Sequence, residues 1–217
     1  MFNHQTLDYP ELVEDYEGIG RHYTTPTGER YPSVTTVLGL KPKPQLDEWR
    51  ERVGDDVADR RTKASAKVGS EFHDACERYV KNEEIGVLSR GAGMLVNSVR
   101  PKLKKHLGII HGTEIPMWSD YLKIAGRSDL IAEWDGEDAI IDYKNSRNPK
   151  PIEYCEGYFL QGACYSRMLH ERHGIVAKKI VIVIGVWGNP RATVHIQNVS
   201  DWYPKVIQHM KEYHPMW

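Results

Sequence analysis

At 217 residues, 40% hydrophobic and 27% charged, the chain has the composition of an ordinary globular domain, which excludes the disordered and collagen-like classes. Its formal net charge of −1 gives no global basic footprint, so any nucleic-acid contact has to be local. Cys76, Cys155 and Cys164 show no CxxC spacing, which argues against a zinc ribbon, an iron–sulfur cluster or a disulfide framework and predicts free, partly buried thiols. The longest apolar runs, such as residues 180–186, fall far short of the roughly 20 residues of a membrane span. The start Met1-Phe2-Asn3-His4-Gln5 carries no targeting pattern, so the expectation is a cytoplasmic protein.

Residues 1–32 read as a weakly stranded lead-in with a turn at Pro26 and Gly28. Ser33 looks like the cap of a short helical turn ended by Gly39, Pro42 and Pro44. A polar helix follows from Leu46 through Trp49 and Val53 towards Lys67. A second, from Lys67 to Lys81, puts His73 and Glu77 one turn apart. A third spans 88–106 with Met94, Leu95, Val99 and Leu103 on one side. From Ile109 the apolar period changes from helical to alternating, predicting strands over 109–118, 121–124 and two more around Asp135-Gly136. Pro149 and Pro151 introduce a helix to about Arg172, closed by Gly174. A buried strand over 180–186, its partner over 192–199 and a helix over 202–213 complete a single domain, 1–217, of α/β type. Its parts are a lead-in and helical segment over 1–65, a core over 66–199 and a closing helix.

Asp135-Gly136, flanked by alternating apolar residues, is a strong two-residue hairpin signal. A turn centred there makes residues whose numbers sum to 271 face each other, so Asp129 lies opposite Asp142 and Arg127 opposite Lys144. Alternation then puts Asp129, Asp142 and Lys144 on one face and Leu130, Ala132, Ile141 and Tyr143 on the other. Two carboxylates roughly 5 Å apart repel unless one is protonated or a cation bridges them. Oxygen ligands without a His or Cys cluster favour Mg²⁺ over zinc, and a metal-bound water beside an ammonium suits phosphodiester hydrolysis. A salt-bridged surface hairpin is the alternative on these residues alone.

The order Gly69-x-x-x-His73, Glu114, Gly126-x-x-Asp129, Asp142-Tyr143-Lys144, Gln161-x-x-x-Tyr165 resembles the PD-(D/E)XK nuclease superfamily in its RecB-like branch. The stretches Tyr31-Pro32-Ser33-Val34-Thr35-Thr36-Val37-Leu38 and Ile141-Asp142-Tyr143-Lys144-Asn145-Ser146-Arg147-Asn148-Pro149-Lys150-Pro151 are similar to the mitochondrial genome maintenance exonuclease family and its phage relatives. The resemblance covers about residues 31–170 and implies a restriction-endonuclease-like core, a mixed β-sheet flanked by helices. It implies a Mg²⁺ or Mn²⁺ dependent deoxyribonuclease, acting on DNA from free, single-stranded ends in replication, recombination or degradation. The alternatives are a structure- or site-specific endonuclease and an idle DNA-binding module. Without a presequence, it points to a phage or bacterial protein in the bacterial cytoplasm.

By the same resemblance Asp129, Asp142, the Tyr143 carbonyl and His73 would hold the metal, and Lys144 would serve the water. Glu114 joins the catalytic set, although Ile110 and Ile115 leave its face open between the site and a plain ion pair. Gln161 and Tyr165, four apart on one helix face, could hydrogen-bond the DNA backbone or brace the metal shell, with a polar helix flank packed on the sheet as the alternative. Ser33, Thr35 and Thr36 offer hydroxyls at a helix N-terminus, and Ser146 and Lys150 follow the catalytic strand; both groups read as DNA contacts or as ordinary capping and loop chemistry. Trp49, Tyr79 and Tyr158 could stack on bases, with core packing the stronger reading.

Overall fold

The computed structural model describes residues 1–217. Its lead-in is more ordered than the sequence suggests: an edge strand β1 (Asn3–His4) precedes a small antiparallel sheet of β2 (Val13–Asp15), β3 (His22–Thr24) and β4 (Arg30–Pro32). Ser33 then caps α1 (Val34–Gly39), its Oγ accepting the Thr36 N–H at 3.0 Å, as a helix start requires. Next come α2 (Pro44–Val53) and α3 (Asp55–Val80), separated at Gly54, whose φ of 82° no helix accommodates. The expected boundary at Lys67 does not exist. α3 runs through it because the intervening residues are polar but helix-competent, so only hydrophobic period was lacking.

Ser89 caps α4 (Arg90–His106), whose buried stripe is Leu95, Val96, Val99 and Leu103. Met94 falls one position outside that stripe and is exposed. β5 (Leu107–Ser119) and β6 (Ile124–Trp134) are joined by a tight turn at 120–123, with Lys123 at φ 52°; the strand expected over 121–124 is this turn. β7 (Glu137–Ser146) follows at the Asp135-Gly136 corner, where φ values of 52° and 80° supply the two left-handed residues that such a turn needs. After a 3-10 turn (Ile152–Cys155), α5 (Glu156–His173) ends at Gly174 with φ 68°. β8 (Lys179–Val186), β9 (Thr193–Asn198) and α6 (Val199–Tyr213) finish the chain.

The main sheet has the order β1-β5-β6-β7-β8-β9, antiparallel from β5 to β7, parallel at β1/β5 and β7/β8, and antiparallel at β8/β9. The parallel β7/β8 pair is bridged by α5, the crossover that such a pair demands. Two cores result. One, on the α5 side, gathers Ile115, Ile131, Ile140, Ile182, Phe159 and Trp202; the other, on the α3–α4 side, gathers Phe72, Leu95, Leu130, Ile141, Tyr143 and Val183. This is a mixed α/β sheet flanked by helices, consistent with a restriction-endonuclease-like core. The three thiols are free and buried, Cys76 in the second core and Cys155 and Cys164 in the first. No helix is long and apolar enough to cross a membrane.

Candidate active site at the sheet fork

The hairpin register predicted from the turn holds for five pairs, from Trp134–Glu137 to Leu130–Ile141, and stops one step short of the two aspartates. Beyond that point β6 pairs only with β5, and β7 only with β8. The sheet therefore forks, with Asp129 on one arm and Asp142 on the other. Arg127 does not face Lys144: it lies opposite Pro116, donates to the Glu114 carbonyl at 3.3 Å and pairs with Glu11 at 2.9 Å. In place of a ladder bond, the Asp129 carboxylate accepts the Tyr143 N–H across the fork at 2.9 Å.

Glu114 settles which face the cluster takes. Thr113 donates to Glu77 of α3 at 3.3 Å, whereas Ile115, two residues on, lies in the α5-side core. Residues two apart share a face in a regular strand, so the alternation inverts between them, at the left-handed φ of 49° on Glu114. Its carboxylate joins Asp129 and His73, their ligand atoms all within 4.8 Å of one another. His73 Nδ1 is 3.3 Å from Asp129 Oδ2. Gly69, one turn earlier on α3, lets the helix come close: a Cβ there would sit 3.3 Å from Asn145 Oδ1 at the end of β7.

Asp142 and Lys144 reach the fork from the opposite face. They pair with Ile182 and Ile184, both in the α5-side core, and the Lys144 ammonium lies 5.1 Å above the Tyr158 ring of α5. The expectation of one shared face for Asp129, Asp142 and Lys144 is thus corrected. Asp129 turns towards α3, and the three converge only because the strands part. Asp142 is 3% exposed, and neither oxygen accepts a well-angled hydrogen bond, although Lys144 Nζ is 2.5 Å from Oδ2. The contact is one of charge more than of direction. Burial pushes the Asp142 carboxyl from 3.8 up to about 6, against the pull of Lys144 and helped by Asp129. Burial opposes the Lys144 charge too, but Asp142 and Asp129 outweigh it and hold the ammonium above its ordinary range. Burial, and then Asp129, raise the Glu114 carboxyl to about 7. A buried carboxylate whose one charged partner is Lys144, beside two acids and an imidazole that crowd together, is a donor set that a hard divalent cation fits.

The outer candidates divide. Tyr165 is buried at 3% exposure under Gly126, where a Cβ would lie 3.0 Å from its Cε1 and Oη. Half-buried Gln161 is the more accessible member of the pair. Ser33, 1% exposed, spends its hydroxyl on Thr35, Thr36 and the helix cap, and Thr36 donates to the Arg21 carbonyl; Thr35 alone of the three is exposed. Ser146 bonds the Asn148 carbonyl, and Lys150 donates to the Tyr158 hydroxyl at 2.7 Å. Tyr79 packs edge-on to Phe2 under Arg100, away from the fork.

Trp49, by contrast, lines a groove of about 740 Å³ with Arg61, Ser65, Asn145 and Arg147, none of its lining residues acidic. The larger cavity, about 1070 Å³ beside Tyr79 and Arg100, contains none of the fork residues. The residue that sequence reasoning missed is Arg127. Its guanidinium steadies the left-handed Glu114, and only the irregularity in the β5 pattern between Ile110 and Ile115 hinted that such support was needed.

No protein-family model matches the chain. Its sequence is similar to mitochondrial genome maintenance exonuclease 1 of Mus musculus, 29% identical over 131 residues, and of Homo sapiens, 30% identical over 133 residues. Each match covers 56% of this chain and 38% of the relative, so the chain spans well under half the length of these curated relatives. Among solved structures, the crystal structure of SSO0001 aligns with a TM-score of 0.40 and 16% identity, over 82% of this chain and 75% of that one.

Proposed function

We propose that this chain is a metal-dependent nuclease of the PD-(D/E)XK kind that hydrolyses phosphodiester bonds in DNA. The observation that carries the reading is the meeting of His73, Glu114 and Asp129 within 4.8 Å beside the buried Asp142–Lys144 pair. The exonuclease named in the similar proteins supports it. His73, Glu114, Asp129 and Asp142, with the Tyr143 carbonyl, would hold a divalent cation. Such an ion neutralises a scissile phosphate and lowers the pKa of a bound water. Mg²⁺ suits the carboxylates, and the imidazole of His73 adds Mn²⁺ as a fitting choice. Lys144 orients the attacking water and offsets the charge that develops on the phosphate oxygens. Arg61, Arg147 and Lys150 hold the backbone, as local cations can on a chain of near-zero net charge.

The finer reading is an exonuclease working from free single-stranded ends, in the cytoplasm of a bacterial host. End-labelled linear, circular single-stranded and duplex DNA, each with Mg²⁺ or Mn²⁺, separate the possibilities. Linear single strands should be digested and circles spared, and Asp129→Asn and Lys144→Met should remove the activity. Cutting of circles would replace the exonuclease with an endonuclease, and wild-type protein inert on every DNA would overturn the reading.

A further inference from the structure

Tyr158 stands in the first turn of α5, just after the Pro149–Pro151 break, and two lysines converge on it. Lys144 Nζ lies 5.1 Å from the ring centroid, and Lys150 Nζ 4.6 Å. Lys150 also donates to the Tyr158 hydroxyl at 2.7 Å. The other end of Lys150 is tied down as well, since His195 Nε2–H donates to its carbonyl at 2.9 Å. Two ammonium groups gathered by one phenol would repel each other. An aromatic face stabilises a nearby cation electrostatically, more strongly where water is excluded, and a hydroxyl accepts a charge-assisted hydrogen bond. Tyr158 supplies one of each.

Lys144 needs such a guide. Its stem is flexible, and four rotatable bonds would let the ammonium swing out to solvent. Asp142 Oδ2 holds it at 2.5 Å on one side, and the Tyr158 ring bounds the other at 5.1 Å. Lys150 follows the C-terminal end of β7, six residues after Lys144, and is the second cation the ring gathers beside the fork. We propose that Tyr158 is a positioning residue that sets two functions at once: its ring face holds Lys144 at the reacting centre, and its hydroxyl holds Lys150 towards the DNA backbone. The inference rests on the nuclease reading above, but its two arms are separable from it.

The test is a kinetic split. Tyr158→Phe keeps the ring and releases Lys150, so KM for DNA should rise about three- to tenfold while kcat stays at the wild-type value. Tyr158→Met fills the volume without a π face and should also lower kcat by about tenfold. If the methionine variant fails to fold, pentafluorophenylalanine at position 158 keeps the shape while inverting the ring's charge distribution, and the same fall in kcat is expected. Equal kinetics in the Phe and Met variants, or a kcat unchanged without the π face, would overturn the proposal, because a merely structural tyrosine does not divide its effects this way. A second readout does not depend on activity. An ordered Lys144 ammonium gives its own ¹⁵N-detected side-chain signal, which should persist in Tyr158→Phe and vanish in Tyr158→Met. Persistence in the Met variant would refute the positioning role. A signal present in the wild type and lost in Tyr158→Met, in a protein inert on every DNA, would leave the positioning intact and refute the nuclease reading instead.

Discussion

Asp142→Asn should make the metal-free protein more stable. Asp142 is 3% exposed, and its oxygens lack well-placed donors; burial lifts its carboxyl from 3.8 to about 6 even with Lys144 alongside. Since the folded state prefers the proton, the sign is the reverse of a salt-bridged aspartate. Stability is lost as pH rises from 3.8 through 6, and the full cost stands above that range. Each pH unit of displacement is worth about 1.4 kcal/mol, so ionised Asp142 costs the fold about 3 kcal/mol at pH 7.5. Protonation and asparagine remove the same attraction for Lys144, so that loss is already contained in the figure. For a chain of this size, about 2–4 °C per kcal/mol predicts a rise in Tm of about 6–12 °C. Calorimetry in EDTA at pH 7.5 and at pH 3.5 measures it, with the two proteins converging at the lower pH. Added Mg²⁺ should raise the Tm of the wild type and leave the variant unmoved. A variant that melts below the wild type at pH 7.5 in EDTA would refute the reasoning.

Three further outcomes are expected. Glu114→Gln should weaken Mn²⁺ binding by at least about tenfold in calorimetric titration, and unchanged affinity would remove Glu114 from the ligand set. Gly162→Ala gains about 1 kcal/mol of helix propensity, but its Cβ would collide with Ile180 Cγ2 across a buried face. Overpacking of about 1–3 kcal/mol should prevail and lower the Tm, and an equal or higher Tm would contradict that balance. His214, buried near the C-terminal end, donates from Nε2 to the Lys123 carbonyl and accepts the Met216 N–H on Nδ1, a pattern only the neutral ring satisfies. Burial lowers its pKa below 6.5, so its contribution is complete above pH 6.5 and declines as pH falls through that value. The loss of Tm from pH 7 to pH 5 should therefore be smaller in His214→Asn than in the wild type.

The hairpin was legible because its turn has local chemistry. Asp-Gly alone accepts two left-handed residues readily, and once the turn is centred the register of Leu130–Ile141 and its neighbours follows arithmetically. Gly174 and Ser33 announced a helix end and a helix start for similar reasons. What the sequence did not disclose was where pairing stops. The separation of β6 from β7 is decided by competition from β5 and β8, and no residue near Asp129 encodes it locally. Glu114 shows the same limit. A left-handed φ on a glutamate has no sequence signature, yet it reverses the facing of β5 and brings the carboxylate to His73. The depth of Tyr165 was likewise hidden, since spacing on a helix gives a direction and not a depth; its close seat depends on the missing side chain of Gly126.

The three buried thiols make the two halves of this molecule separately observable. Alkylating reagents attack thiolates, and burial both shields Cys76, Cys155 and Cys164 and pushes their ionisation upward. In the native state all three should be silent. Cys76 becomes reactive when α3 lifts from the sheet, and Cys164 when α5 does, so brief pulses of reagent followed by mass measurement would time each opening on its own clock. Both helices border the fork from opposite sides. The faster clock would therefore name the side on which the fork opens more readily, and so the side from which the proposed substrate would enter.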